Sequence, residues 1–202
     1  MIEKSQKSIL FVCLGNICRS PLAEGVFRAV VCERGIEDGF TLDSAGTGSW
    51  HMGSAPDPRS MAVAAEHGID ISMQKARKVV PADFQRFDLI LAMDRSNVDD
   101  LIRIAPAEAH DRVHLFLDFA AGELGDVPDP YYGGPDGFVS VYRMIRNASE
   151  LLADTLERRS APESGQASSM TYGPPPTESR DDISTKRLTL KGAVEKFPRA
   201  DR

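Results

Sequence analysis

The chain has 202 residues, 42% hydrophobic and 27% charged, enough for one domain of ~150 residues plus an appendage and too apolar for disorder throughout. A net charge of −6, from 24 basic against 30 acidic residues, argues against broad adhesion to nucleic acid or anionic membrane, while leaving room for a local anion pocket. The apolar run Ile9 to Leu14 is too short for a signal peptide or a membrane span and has no small-residue cleavage site after it. A cytoplasmic protein without membrane insertion is expected.

In chain order, Ser8 to Cys13 (SILFVC) reads as a strand buried on both faces. Ser20 suits a helix N-cap and Pro21 the first helical position; Leu22, Val26, Phe27 and Val30 then keep helical spacing up to Gly35. A strand near Phe40 to Ala45 follows, then a helix near Arg59 to His67 ended by Gly68. After these come a strand at Asp88 to Met93, a helix near Ser96 to Ile104 and a strand near Arg112 to Phe116. The last helix, Gly137 to Arg159, carries Val141, Tyr142, Ile145, Ala148, Leu152 and Leu156 on one stripe. This alternation predicts an α/β fold, a parallel sheet flanked by helices on both faces.

From Ser160 the composition shifts. Residues 160–202 hold five of the 13 prolines, seven basic and six acidic residues, a tail of +1 against a body of −7. Two segments are expected, a folded domain over 1–159 and a mostly disordered Pro/Ser-rich tail over 160–202. The three cysteines, Cys13, Cys18 and Cys32, are odd in number and all near the N-terminus, which does not fit a secreted disulfide framework. Cys32 reads as an ordinary buried thiol on the first helix.

Chemistry concentrates in Cys13-Leu14-Gly15-Asn16-Ile17-Cys18-Arg19-Ser20. A Gly-containing loop between a buried strand and a helix N-terminus presents backbone N–H groups to a tetrahedral oxyanion. It lacks the G-x-x-x-x-G-K-[ST] pattern of a nucleotide loop. Arg19 can grip two phosphate oxygens as a fork, and the same positive field favours the thiolate at Cys13. A lone cysteine at a strand end would more often be a small buried hydrophobe; joined to this loop and Arg19 it reads as a nucleophile. A proton donor for the leaving oxygen is then required. Asp129, in the Pro/Gly-rich stretch Asp126 to Pro135, is the candidate, with Tyr131 and Tyr132 as an aromatic wall beside it. Trp50 lies in another irregular stretch.

Together, CLGNICRSP, DSAGTGSWH, LAMDRSN and DPYY closely resemble the motifs of the low-molecular-weight protein tyrosine phosphatases, in their order and spacing, over about Ser8 to Leu156. The resemblance implies a four-stranded parallel sheet with the phosphate-binding loop between the first strand and first helix. It also implies metal-independent hydrolysis of phosphotyrosine and small aryl phosphates through a phosphocysteine, with no cofactor. It makes Cys13 the nucleophile, Arg19 the clamp on phosphate and Asp129 the acid and then base. Leu14, Gly15, Asn16, Ile17, Cys18 and Ser20 complete the phosphate site, with Asn16 holding the strained loop and Ser20 supporting the thiolate. Trp50, Tyr131 and Tyr132 would line the ring slot, and Cys18 would trap oxidised Cys13 as a disulfide. Phosphotyrosine-containing proteins are the expected partners; a cognate kinase, phosphorylation of Tyr131 or Tyr132 and the oligomeric state stay open.

Gln74 departs from the pattern, standing where many bacterial members carry histidine. An arsenate reductase on this fold needs a further cysteine pair, and no cysteine follows Cys32. Phosphoarginine phosphatases resemble this loop but carry threonine at the position of Ile17. A binding module without catalysis would have no need of Cys13 or Asp129. A zinc site lacks the paired spacings it requires.

Overall fold

In a computed structural model, the structure describes residues 6–122 and 125–160. The chain divides into two units, Met1–Glu163 and Ser164–Arg202; the sheet and helices below belong to the first. The tail expected over 160–202 lies outside the described residues except for Ser160, which ends a helix.

Among the described residues four strands, β1 (Lys7–Cys13), β2 (Phe40–Gly46), β3 (Leu89–Ala92) and β4 (Val113–Leu115), form one sheet in the order β2-β1-β3-β4, with all neighbours parallel. Among the described residues six α-helices connect or follow them: α1 (Arg19–Glu33), α2 (Pro58–Ala65), α3 (Asp83–Arg86), α4 (Arg95–Ile104), α5 (Phe116–Ala121) and α6 (Pro135–Ser160).

The apolar runs of β1 and β3 follow from burial on both faces. Ile9, Phe11 and Cys13, with Leu89 and Leu91, join a core shared with Leu22, Val26 and Phe27 of α1 and Val141, Ile145 and Leu152 of α6. Leu10, Val12, Ile90 and Ala92 face the other way, against Phe84 of α3 and Leu101 of α4. The chain leaves β1 toward one face and β3 toward the other, so a crevice opens at the carboxyl ends of the two central strands. Cys13, last in β1, stands at that point.

Three local expectations change. Helix α1 starts at Arg19, and Cys18 is its N-cap without a side-chain hydrogen bond. Ser20 is therefore inside the helix, its hydroxyl free for Cys13, and Pro21 occupies the third helical position, which also needs no N–H partner. Cys32 is exposed, because it falls on the outward side of α1 beyond Val30 and Val31, which are buried. The short helices α3 and α5, at four and six residues, are too brief to show a helical period.

Gly25, inside α1, marks the closest approach of that helix to residues 69–71. A Cβ there would lie 2.4 Å from Ile71 Cγ2 and 3.2 Å from Ile69 Cγ2. In an exposed helix, Gly→Ala would stabilise by about 1 kcal/mol. Here the methyl meets a β-branched side chain that is itself 2% exposed, and overpacking of this kind costs about 1–3 kcal/mol. Gly25→Ala is therefore expected to lower Tm by a few degrees, measurable by thermal denaturation; a rise in Tm would mean that the Ile71 side yields freely.

Candidate active site

The loop from Cys13 to Arg19 is held from outside by its carbonyls. Thr47 N donates to Cys13 O (2.9 Å), Gly48 N to Leu14 O (2.8 Å), Asp57 N to Ile17 O (2.7 Å) and Leu22 N to Cys18 O (3.4 Å). The peptide bonds of this loop are trans, so each such carbonyl turns the next residue's N–H the opposite way. The N–H groups of Leu14, Gly15, Cys18 and Arg19 are thereby directed to the inner side of the bend, and Asn16 N already reaches Cys13 Sγ at 3.3 Å. Gly46 lets β2 run this close, since a Cβ there would sit 2.7 Å from Leu14 O.

Asn16 fixes the curvature. Its φ is +53°, a left-handed conformation that Asn tolerates better than most residues. Its Nδ2 donates to Ser20 Oγ (2.9 Å) and Ser44 Oγ (3.1 Å), and its Oδ1 accepts from Arg77 N (2.9 Å). Ser20 Oγ in turn lies 3.1 Å from Cys13 Sγ and 3.3 Å from Ala45 O. Because Asn16 already donates to this hydroxyl, its single proton is available to the sulfur or to Ala45 O. A negatively charged sulfur would draw it.

Arg19 is 3% exposed and is held by acceptors from two other loops. Nη1 donates to Asp94 Oδ2 (2.5 Å) and Val127 O (3.1 Å), and Nη2 to Asp129 Oδ2 (3.0 Å). Burial opposes its charge, but Cys13, Asp94 and Asp129 outweigh it and raise the guanidinium further above its ordinary range. Its Nε is buried without a partner. The edge formed by Nε and Nη2 is thus the one left for an anion, half of it shared with Asp129.

These groups surround a cavity of about 350 Å³ lined by Cys13, Leu14, Gly15, Ile17, Cys18, Arg19, Trp50, His51, Asp129, Tyr131 and Tyr132. All the residues expected at the site meet here except Asn16 and Ser20, which stand behind the loop and support it. Trp50 and Tyr132 are 74% and 95% exposed, forming a rim rather than a filled core. Tyr131 and Tyr132 pack edge to face with centroids 5.1 Å apart. Among the described residues no group of three or more His, Cys, Asp or Glu could hold a metal ion, and no helix is long and apolar enough to cross a membrane.

Sequence reasoning passed over several members. Asp94 caps α4 through Asn97 N (2.8 Å) and reserves its other oxygen for Arg19; the capping half of that role was visible in Asp94-Arg95-Ser96-Asn97. Ser44 and Arg77 hold Asn16, and His51 packs over Gly15, its Cδ2 3.1 Å from where a Cβ would stand. Gln74 lies toward Gly25 on α1, with its Oε1 buried and without a hydrogen-bond partner.

Cys18 is buried and free. Burial first, then the nearby charges of Asp57, Cys13 and Asp129, push its thiol up to about 12.

Residues 8–161 match the family model described as low molecular weight phosphotyrosine protein phosphatase. A low molecular weight phosphotyrosine protein phosphatase of Schizosaccharomyces pombe is 48% identical over 144 residues, 70% of this chain and 92% of the relative. One from Streptomyces coelicolor is 46% identical over 156 residues, 74% of this chain and 94% of the relative. The crystal structure of a protein tyrosine phosphatase from Entamoeba histolytica superposes with a TM-score of 0.73 at 38% identity, covering 77% of this chain and all of that one.

The protonation of Cys18 has a direct readout. In Cys13→Ser at pH 8, iodoacetamide should modify exposed Cys32 and leave Cys18 at least about 100-fold slower, followed by peptide mass spectrometry. Comparable rates at the two thiols would show that burial and Asp57 do not hold the Cys18 proton.

Proposed function

We propose that this chain, which belongs to the low-molecular-weight phosphotyrosine protein phosphatase family, hydrolyses phosphotyrosine and small aryl phosphates with Cys13 as nucleophile, Arg19 as phosphate clamp and Asp129 as acid and base. The observation that carries these roles is a buried sulfur held by Ser20 Oγ and Asn16 N beside a buried arginine whose Nε has no partner.

A phosphate monoester entering the cavity takes the inward N–H groups and the Nε–Nη2 edge of Arg19. Asp129 loses its bond to Nη2 as it does so, and its carboxyl is left to face the leaving oxygen. The Cys13 thiolate attacks phosphorus. The S–P bond forms as the P–O(aryl) bond breaks, and the leaving oxygen takes the Asp129 proton to depart as a phenol. Water then attacks the phosphocysteine, giving its proton to the Asp129 carboxylate while the S–P bond breaks. Phosphate leaves, and Cys13 is again a thiolate. Ester and water have become phenol and phosphate with no metal in the sequence of steps.

The substrate class rests on the walls. Ile17, Trp50, Tyr131 and Tyr132 line the cavity and suit a flat aromatic ring, and Ile17 stands where phosphoarginine phosphatases carry a threonine hydroxyl. Phosphotyrosine-bearing proteins are the partners this implies. Cys18 would serve as the trap for oxidised Cys13; since its thiol holds its proton, disulfide formation requires that proton to be removed.

Cys13→Ser should abolish turnover while retaining phosphate or vanadate binding, read by calorimetry. Retained activity would remove Cys13 from its role. Comparing kcat/KM for phosphotyrosine, phosphoserine and phosphoarginine with chelator present should place phosphotyrosine at least about 100-fold above the others; a preference for phosphoarginine would overturn the substrate assignment. Asp129→Asn should lower kcat/KM for phenyl phosphate by about 100-fold or more and for p-nitrophenyl phosphate far less. Equal losses would exclude Asp129 as the acid.

A further inference from the structure

Among the described residues, 125–134, which carry Asp129, form neither helix nor strand, so no ladder of backbone bonds fixes them. Val127 N donates to Met93 O (2.7 Å), and Val127 O and Asp129 Oδ2 both receive Arg19. The second of those grips is on Nη2, the atom a bound phosphate would take. What then keeps the acid in place lies outside the cavity.

Arg59, on the first turn of α2, fills that need by geometry. Its Nε and Nη2 donate to the two oxygens of Asp57 at 3.0 and 2.9 Å, and its Nη1 donates to Tyr131 O at 3.0 Å and Gly133 O at 3.5 Å. Its guanidinium carbon lies 4.4 Å from the Phe138 ring centroid and 5.5 Å from that of Tyr131. Asp57 is 8% exposed, accepts from Arg59 N as the cap of α2 (2.9 Å), and through its own N–H holds Ile17 O of the phosphate loop. A continuous path therefore runs from Ile17 through Asp57 and Arg59 to the backbone two residues beyond Asp129. Tyr131 N closes it, donating to Asp129 Oδ1 at 3.1 Å.

Arg59 is not among the cavity-lining residues, and three of its nitrogens are occupied by protein acceptors. It is therefore no anion site. We propose that Arg59 is a positioning residue that keeps Asp129 in register over the phosphate loop once substrate has taken Arg19 Nη2 from it. The proposal rests on the reading of Asp129 as the acid. The Asp57 fork fixes the guanidinium relative to Ile17, and the Phe138 ring limits its tilt, so the two donated bonds set the height of the Tyr131 carbonyl. Lysine would keep the charge but has neither the planar fork for Asp57 nor a second arm for the loop.

The test is kcat/KM across aryl phosphates of graded leaving-group pKa, since this parameter contains the step in which the phenol departs. Arg59→Gln should lower kcat/KM for phenyl phosphate by about 10-fold or more and for p-nitrophenyl phosphate by less than about 3-fold, steepening the dependence on leaving-group pKa. Arg59→Lys should fall between wild type and Arg59→Gln, and it carries the same test if the glutamine variant does not fold. In an Asp129→Asn background, Arg59→Gln should add no leaving-group-selective loss. Equal losses on both substrates, or the same selective loss with and without Asp129, would overturn the proposal and make Arg59 merely structural. If Asp129→Asn alone shows no selectivity, the acid assignment fails and this proposal with it; if Asp129→Asn is selective and neither Arg59 variant is, only the Arg59 role falls.

Discussion

The site depends on keeping a bent loop's N–H groups turned toward a sulfur, against the backbone's preference. A non-glycine residue at φ +53° costs about 1–2 kcal/mol, and the loop's carbonyls must find donors elsewhere. Asn16 meets the first demand with three side-chain hydrogen bonds, each contributing about 1 kcal/mol net, so the strained conformation is held with some margin. Thr47, Gly48 and Asp57 meet the second through their N–H groups. The neighbouring framework follows from these needs. Gly46 admits the close approach of β2, and Gly46 also pairs both ways with residues 77–79, donating to Arg77 O and accepting from Val79 N. That brings the Arg77 N–H to Asn16.

Arg19 carries the opposite problem, a charge taken out of water. Burial alone would cost several kcal/mol, and the fold offsets it with Asp94, Asp129 and Cys13. These partners differ in permanence. Asp94 is also the cap of α4 and cannot leave without exposing a helix end. Asp129 is partly exposed, on a segment of little regular structure, and Cys13 is the group proposed to react. The arginine therefore has one fixed anchor and two exchangeable ones, an arrangement suited to a group that must accept an anion and release it.

Much of this was legible in the sequence where the signal is local. The run SILFVC gave a strand buried on both faces because both of its faces are covered, and Cys13, Arg19 and Asp129, which line one cavity, stand out by reactivity that few residue types supply. The parts that were not legible are those whose reason lies far along the chain. Asp94 is 75 residues from Arg19, and Arg77 is 61 from Asn16; neither spacing leaves a pattern. Ser20 misled for a physical reason, since a serine just before a proline resembles a cap. Only the neighbouring Cys13 and Asn16 reveal that its hydroxyl serves the sulfur. Exposed Cys32 likewise follows from which side of α1 faces the sheet, a matter of packing rather than composition.

The sheet order explains why so few residues suffice. With β1 and β3 adjacent and their following helices on opposite faces, the loops after both strands diverge from one crevice without an added domain to shape it. Cys13 and Arg19 come from the first loop and Asp94 from the second. Val127 N bonds to Met93 O beside them, which brings the segment bearing Asp129 to the same edge. The residues proposed as nucleophile, clamp and acid thus converge through backbone pairing at the ends of two strands. On the proposed reading, specificity is left to the exposed rim of Trp50 and Tyr132, away from the hydrogen bonds that hold the sulfur.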